Sequence, residues 1–152
     1  MTAQDKLRSN GLATTLLRIA AVLWVIWGLV HVLAGAMTIN NDTPQAVQGI
    51  ADAVDPEILD VTYLDAAGAV INQHGFNLLW IGVVTTVFAI FVWRCSTPAI
   101  FLAALIGGLT DIGYFLFMDL GGHVNFVPGT LMTLICTSAI ALSIFARFRY
   151  KI

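Results

Sequence analysis

The chain has 152 residues, of which 59% are hydrophobic and only 11% are charged. Soluble domains usually contain about 25% charged residues, so this composition, with a mean hydropathy of +0.87, excludes an ordinary water-soluble domain. The net charge is −2 and no basic patch is present, which argues against nucleic-acid binding.

Four apolar segments are each long enough to cross a bilayer, which takes about 20 residues of α-helix. The first apolar run is much longer than the roughly 7–15 residues of a signal peptide, so we predict that it is a retained span. The predicted spans cover, in chain order, about residues 12–38, 74–93, 98–118 and 128–147. We therefore predict an all-α polytopic integral membrane protein, with one membrane domain over residues 1–152 that folds as an antiparallel four-transmembrane-helix bundle.

The connection between the first two spans, residues 39–73, contains six acidic residues and neither Lys nor Arg. Asp42-Thr43-Pro44 and Asp55-Pro56 each combine a capping carboxylate with a proline suited to a first helical turn. Apolar residues follow both motifs at helical spacing. The pattern predicts two short amphipathic helices on the outer surface, the second leading into the span at His74. They would serve as a cap over the bundle or, alternatively, as a surface for a partner.

The basic residues are confined to three places: the N-terminus, the short connection between the second and third spans, and the C-terminus. They are Lys6, Arg8, Arg18, Arg94, Arg147, Arg149 and Lys151. Four crossings place all three regions on one side, and basic residues favour the cytoplasmic side of a membrane. We therefore predict a plasma-membrane or inner-membrane protein whose N- and C-termini are both cytoplasmic.

The three histidines, His31, His74 and His123, all fall on the outer half of this topology. Asp111 lies within the third span at about the depth of His31, because each follows the cytoplasmic start of its span by the same number of residues. Asp119 lies in the connection that contains His123. Three further polar residues are candidates for the same region: Asp65, Asn77 and Tyr114.

An ionisable residue inside a membrane span is costly and usually marks a functional site or a buried pair. Asp111 therefore has two interpretations, a functional carboxylate or a structural partner, for example of His31. His31 itself lies on the helix face Trp24-x-x-Trp27-x-x-x-His31, and such an aromatic stripe is typical of packing as well as of a site. Both interpretations of each residue stay open at this point.

Imidazole and carboxylate side chains from separate helices are the ligands with which helix bundles hold Zn, Cu or Fe. Our leading hypothesis is a site at the outer end of the bundle that binds a transition metal ion or a small polar ligand. Its metal ligands would be His31, His74, His123, Asp111 and Asp119. A redox or hydrolytic reaction is left open, since no pattern selects one. Haem is the weaker alternative, because His74 is expected about 10 Å shallower than His31.

Two alternatives belong to other classes of protein. One is a non-catalytic subunit or scaffold of a larger membrane complex. The other is a proton-coupled carrier that uses Asp111, although no charged residue continues a path to the cytoplasm. The expected partners are the lipid bilayer and either a second copy of the chain or a membrane-complex partner. Whether the protein is an enzyme stays open. Whether the three histidines converge depends on helix rotation, which hydropathy does not fix.

Overall fold

A computed structural model describes residues 3–150, with side chains from residue 11 onward. Lys6, Arg8 and Lys151, which carry part of the predicted charge asymmetry, therefore lie outside the described side chains. Within residues 3–150 all regular structure is helical. The α-helices are α1 (Ala3–Asn40), α2 (Thr43–Ile50), α3 (Pro56–Leu59), α4 (Asp65–Trp93), α5 (Thr97–Tyr114) and α6 (Leu131–Tyr150). A π-helical turn at Phe115–Asp119 continues α5. The segment Phe126–Thr130 precedes α6 and is kinked, since Val127 has extended backbone angles of φ −118° and ψ 122°.

Four helical segments of the described chain are long and apolar enough to cross a membrane. They are Gly11–Asn40, Asp65–Trp93, Thr97–Asp119 and Phe126–Tyr150. The prediction of an all-α protein with four such helices is confirmed. The second segment begins at Asp65 rather than near His74, because the apolar stripe expected to form a separate loop helix runs on into the span without a helix-breaking residue.

Helices α1 and α4 pack closely through glycines. A Cβ atom on Gly28 would lie 2.8 Å from the carbonyl oxygen of Gly82, and one on Gly75 would lie 3.1 Å from the carbonyl oxygen of Gly35. Separations this short leave no room for a larger side chain between the two backbones. Small residues at a helix contact give this close approach in membrane bundles, where lipid supplies no hydrophobic drive for association.

Two tryptophans of α1 occupy the centre of the bundle. Trp24 and Trp27 are both 0% exposed, and their rings meet edge to face at a centroid distance of 5.9 Å. The six-membered ring of Trp24 lies against Gly107 of α5, where a Cβ atom would be 2.7 Å from Cη2 of that ring. The surrounding core comes from all four long helices and includes Leu17, Ala21, Val92, Ile100, Ala103, Cys136 and Ala139.

The segment between α1 and α4 is fastened to the connection between α5 and α6. Asn125 donates from its backbone amide to Oδ1 of Asp52 and from Nδ2 to the Asp52 carbonyl oxygen, both at 2.8 Å. The amide of Ala53 donates to the carbonyl oxygen of His123 at 3.1 Å. Helices α2 and α3 begin at the capping carboxylates of Asp42 and Asp55. These hydrogen bonds hold the segment between α1 and α4 against the connection between α5 and α6.

Candidate functional site

The carboxylate of Asp111 lies in the interior of the helix bundle, and the residue is only 6% exposed. Its Oδ1 accepts a 3.0 Å hydrogen bond from Nε1 of Trp27. Its Oδ2 is buried and has no hydrogen-bond partner. Leaving a buried acceptor unpaired costs about 1–3 kcal/mol, and more when the group is charged. Asp111 is therefore a polar group that the fold orients but does not fully satisfy.

Trp27 connects Asp111 to His31. The indole donates to the carboxylate on one side, and its ring stacks on the imidazole of His31 with a centroid distance of 3.7 Å and an interplanar angle of 26°. Nδ1 of His31 lies 2.8 Å from the carbonyl oxygen of Trp27, so Nδ1 carries the proton and donates it to that oxygen. In this tautomer Nε2 is left as an acceptor.

The direct pairing of Asp111 with His31, one of the two interpretations of Asp111, does not occur. The His31 ring is engaged by its own helix, through the carbonyl oxygen one turn earlier. The longer indole side chain of Trp27 reaches across to α5 in its place. The carboxylate therefore lies beside the indole of Trp27, on which the His31 ring is stacked, and is not bonded to His31 itself.

On the other side of Asp111, a cavity of about 400 Å³ opens between α5 and α6. Thr133 and Cys136 contribute its α6 wall, one helical turn apart. Oγ1 of Thr133 is buried without a hydrogen-bond partner. The thiol of Cys136 is close enough to Asp111 to interact with its carboxylate, although a thiol is a weak donor. The cavity therefore brings together two unsatisfied oxygen atoms, one from each helix.

Tyr114 lies above Asp111, on the same helix and towards the α5–α6 connection. Its phenol interacts electrostatically with Asp52, Asp119 and Asp111, most strongly with Asp52. A Cβ atom on Gly129 would lie 2.7 Å from the Tyr114 hydroxyl, so this glycine gives the hydroxyl its space. The phenol thus lies between the buried carboxylate of Asp111 and the carboxylates of Asp52 and Asp119 in the connecting segments.

Asp119, at the end of the π-helical turn, is partly buried. Its Oδ1 accepts a 2.9 Å hydrogen bond from Oγ1 of Thr130, while Oδ2 is buried without a partner. Asp119 therefore joins the polar groups around Tyr114 and resembles Asp111 in having one satisfied and one unsatisfied oxygen.

The three histidines do not assemble into a metal centre. His31 lies beside Trp27, His74 is exposed on α4 but near enough to interact electrostatically with His31, and His123 is exposed in the α5–α6 connection. In the part of the chain that the structure describes, no group of three or more His, Cys, Asp or Glu side chains could hold a metal ion. The predicted cluster of His31, His74, His123, Asp111 and Asp119 finds no support in the geometry.

Two other candidates also lie apart from Asp111. Asn77 makes a local hydrogen bond, accepting at Oδ1 from Nε1 of Trp80 at 3.1 Å on the exposed face of α4. Asp65 is exposed at the first turn of α4. Of the three additional polar candidates, Tyr114 alone belongs to the group around Asp111.

Sequence reasoning missed three members of the site: Trp27, Thr133 and Cys136. The sequence places Trp27 in an aromatic stripe without assigning it to the site, and it does not single out Thr133 or Cys136 as site residues. One signal for Trp27 is present in the sequence, because a buried carboxylate needs a donor and an indole is a donor that a membrane helix can carry at low cost. Nothing in the sequence sets the rotation of α6 that brings Thr133 and Cys136 to Asp111.

Comparisons of the chain with protein-family models, with curated proteins and with solved structures give no match. The functional interpretation therefore depends on the geometry around Asp111.

Proposed function

We propose that the protein is an antiparallel four-helix bundle of the plasma or inner membrane, with cytoplasmic termini and with α2 and α3 on the opposite surface. Two contacts support this topology. The Arg18 guanidinium lies 5.2 Å from the ring centroid of Trp93, and Phe101 meets Phe148 at 6.2 Å. These contacts gather the basic ends of the helices at one end of the bundle, where the positive-inside rule favours the cytoplasm.

The proposed function is the binding of a small polar ligand, or of the polar group of a larger molecule, at Asp111 within the membrane. The observation that carries it is the state of the Asp111 carboxylate, which is 6% exposed, fixed at Oδ1 by Trp27 and unpartnered at Oδ2. Ionisable residues at membrane depth are retained mainly where they serve a function or a pair. The hydrogen bond from Trp27 satisfies Oδ1 of Asp111 and holds the carboxylate in place, so that Oδ2 is available to a ligand.

The neighbouring groups indicate a ligand that forms hydrogen bonds. Asp111 and Thr133 line one cavity, and Oδ2 of the aspartate and Oγ1 of the threonine are both unsatisfied. A ligand with a donor and an acceptor would complete both groups. Zn, Cu, Fe and haem are not part of this proposal, because His74 and His123 lie away from Asp111 and supply no further ligands.

The test is the Asp111→Asn variant, which keeps the size of the side chain and an acceptor for Trp27. Asp60→Asn, on an exposed loop carboxylate, is the matched control. Small molecules would be extracted with solvent from each purified protein and identified by mass spectrometry. We expect at least one molecule that is retained by the unmodified protein and the control and lost from Asp111→Asn. Identical extracts from all three proteins, with circular dichroism showing intact helices, would contradict the proposal.

A second candidate, proton exchange between Asp111 and the outer face, is favoured by one observation. The Tyr114 phenol lies within electrostatic reach of Asp111, Asp119 and Asp52 and so could connect interior and surface carboxylates. In liposomes containing a pH-sensitive dye, this candidate requires a proton flux that both Asp111→Asn and Tyr114→Phe abolish. The filled centre of the bundle at Trp24 and Trp27 argues against a route that crosses the membrane completely.

A further inference from the structure

The cavity beside Asp111 is a groove on the side of the bundle, between α5 and α6. At its lower end the two helices come together, since a Cβ atom on Gly108 would lie 3.2 Å from Cδ1 of Ile140. Asp111 and Thr133 line the same space. The groove therefore extends from a close helix contact to the polar groups.

The rim of the groove is apolar and faces outward. Ile112 and Phe115, which both line it, are 56% and 40% exposed. In a bundle that crosses a membrane, such exposed residues at the middle of a span contact lipid chains. A molecule could therefore reach the groove from within the bilayer.

The interior of the groove has the opposite character. Asp111 is more than nine-tenths buried, its Oδ2 is unpartnered, and the hydroxyl of Thr133 is likewise buried and unpartnered. Hydrocarbon chains supply neither donors nor acceptors, so an ordinary acyl chain would leave both oxygens unsatisfied at a cost. An occupant that offers both a donor and an acceptor would relieve that cost.

We infer that the groove binds a single-chain membrane amphiphile with a hydroxyl head, which donates to Oδ2 of Asp111 and accepts from Oγ1 of Thr133. This inference rests on the proposed function and specifies the class of ligand and its route. A hydroxyl matches both groups, because it is a donor to an acceptor-only carboxylate and an acceptor for the threonine hydroxyl. The volume of about 400 Å³ is near the lower end of the roughly 300–1,000 Å³ range of ligand pockets, which suits one chain rather than a two-chain phospholipid.

The experiment uses the full chain in phosphatidylcholine nanodiscs with two photoreactive probes. One is a long-chain alcohol with a diazirine near its head, and the other is its methyl ether, which differs only in lacking the donor. Cross-links are located by peptide mass spectrometry. We expect the alcohol to label α5 and α6 around Ile112 and Thr137, and the ether to label them about tenfold less, because the ether has no donor for Oδ2 of Asp111.

Asp111→Asn provides the internal test of selectivity. With its amide oxygen towards Trp27, the Asn side chain turns an NH₂ donor into the groove, so the preference for the alcohol over the ether should fall to about one. Thr133→Val, which keeps the side-chain shape, should lower labelling by both probes, because the ether oxygen also accepts from Oγ1 of Thr133. Because the alcohol-to-ether ratio is measured on one folded protein, it does not depend on equal expression of the variants.

Three outcomes overturn the inference. Equal labelling by alcohol and ether in the unmodified protein would mean that the groove holds ordinary lipid chains. Disulfide-linked dimers of an Ile112→Cys variant would mean that a second copy of the chain covers the groove. Loss of an extracted water-soluble molecule in Asp111→Asn, without selective labelling of the groove, would overturn the amphiphile while leaving the proposed function intact.

Discussion

The indole Nε1 of Trp27 donates a 3.0 Å hydrogen bond to Oδ1 of Asp111, joining residues that lie 84 positions apart in the chain. The bond links the first and third long helices across the centre of the bundle. It also leaves Oδ2, the other carboxylate oxygen of Asp111, without a hydrogen-bond partner beside the groove between α5 and α6.

Replacement of Trp27 by Phe should destabilise the bundle. The substitution removes the donor and leaves Oδ1 of Asp111 buried and unpaired, at a cost of about 1–3 kcal/mol beyond the loss of ring area. The matched control is Trp24→Phe, since Nε1 of Trp24 is buried but has no hydrogen-bond partner to lose. Unfolding in one detergent, followed by circular dichroism, should show Trp27→Phe to be the less stable variant. Equal stability of the two would mean that the hydrogen bond contributes nothing.

A single methyl group at the α1–α4 contact should separate those helices. In Gly82→Ala the new Cβ would lie 2.7 Å from the backbone nitrogen of Val32, which cannot move aside as a side-chain end could. Overpacking of this kind costs about 1–3 kcal/mol. Gly113→Ala on α5 is the control, because a Cβ atom there meets nothing within 4 Å and alanine is the better helix former by roughly 0.5–1 kcal/mol. Thermal unfolding should therefore shift in opposite directions for the two variants.

The attachment of the segment between α1 and α4 to the α5–α6 connection can be tested at Asn125. Asn125→Ala removes the hydrogen bond from Nδ2 to the Asp52 carbonyl oxygen, worth about 0.5–1.5 kcal/mol. Hydrogen exchange of the peptide containing the Ala53 amide, which donates to His123, should accelerate by roughly 2–10-fold. Asp60→Ala, an exposed site in the same segment, should leave that exchange rate unchanged. Acceleration by both variants would point to general loosening instead.

The proposed topology predicts which residues a membrane-impermeant maleimide can reach. On right-side-out membrane vesicles, Asp60→Cys in a Cys95→Ser background should react directly. In the unsubstituted chain, Cys95 should react only after the vesicles are permeabilised, and Cys136, which is 1% exposed, should add little background. The reverse pattern would place the termini outside, and the charge asymmetry would then have given the wrong orientation.

The sequence was sufficient to predict the long helices and the importance of Asp111. Uncharged runs of about 20 residues have few alternatives to a membrane helix, and a carboxylate within such a run must find a partner or a role. The second span is predicted to begin at about residue 74, whereas α4 begins at Asp65. A hydropathy window ends at the polar Asn72-Gln73-His74, although the helix continues through these residues.

The composition of the site was much harder to predict than its depth. Counting residues along a helix gives height to within a turn, but contact depends on the rotation of each helix and on side-chain reach. His31, predicted at about the depth of Asp111, is therefore an expected partner, whereas the longer indole of Trp27 forms the bond. The same uncertainty in rotation concealed Thr133 and Cys136 on α6.

The glycine contacts between α1 and α4 imply an uneven distribution of mechanical freedom in this protein. Backbones in contact at Gly28, Gly35, Gly75 and Gly82 can neither slide nor rotate without steric overlap, so this pair forms a stiff frame. The opposite pair contains the groove and, at Phe115–Asp119, a π-helical turn, a local departure from regular helix that often occurs where proteins function. A widening of the bundle that admits a ligand is therefore expected at the groove between α5 and α6 rather than between α1 and α4.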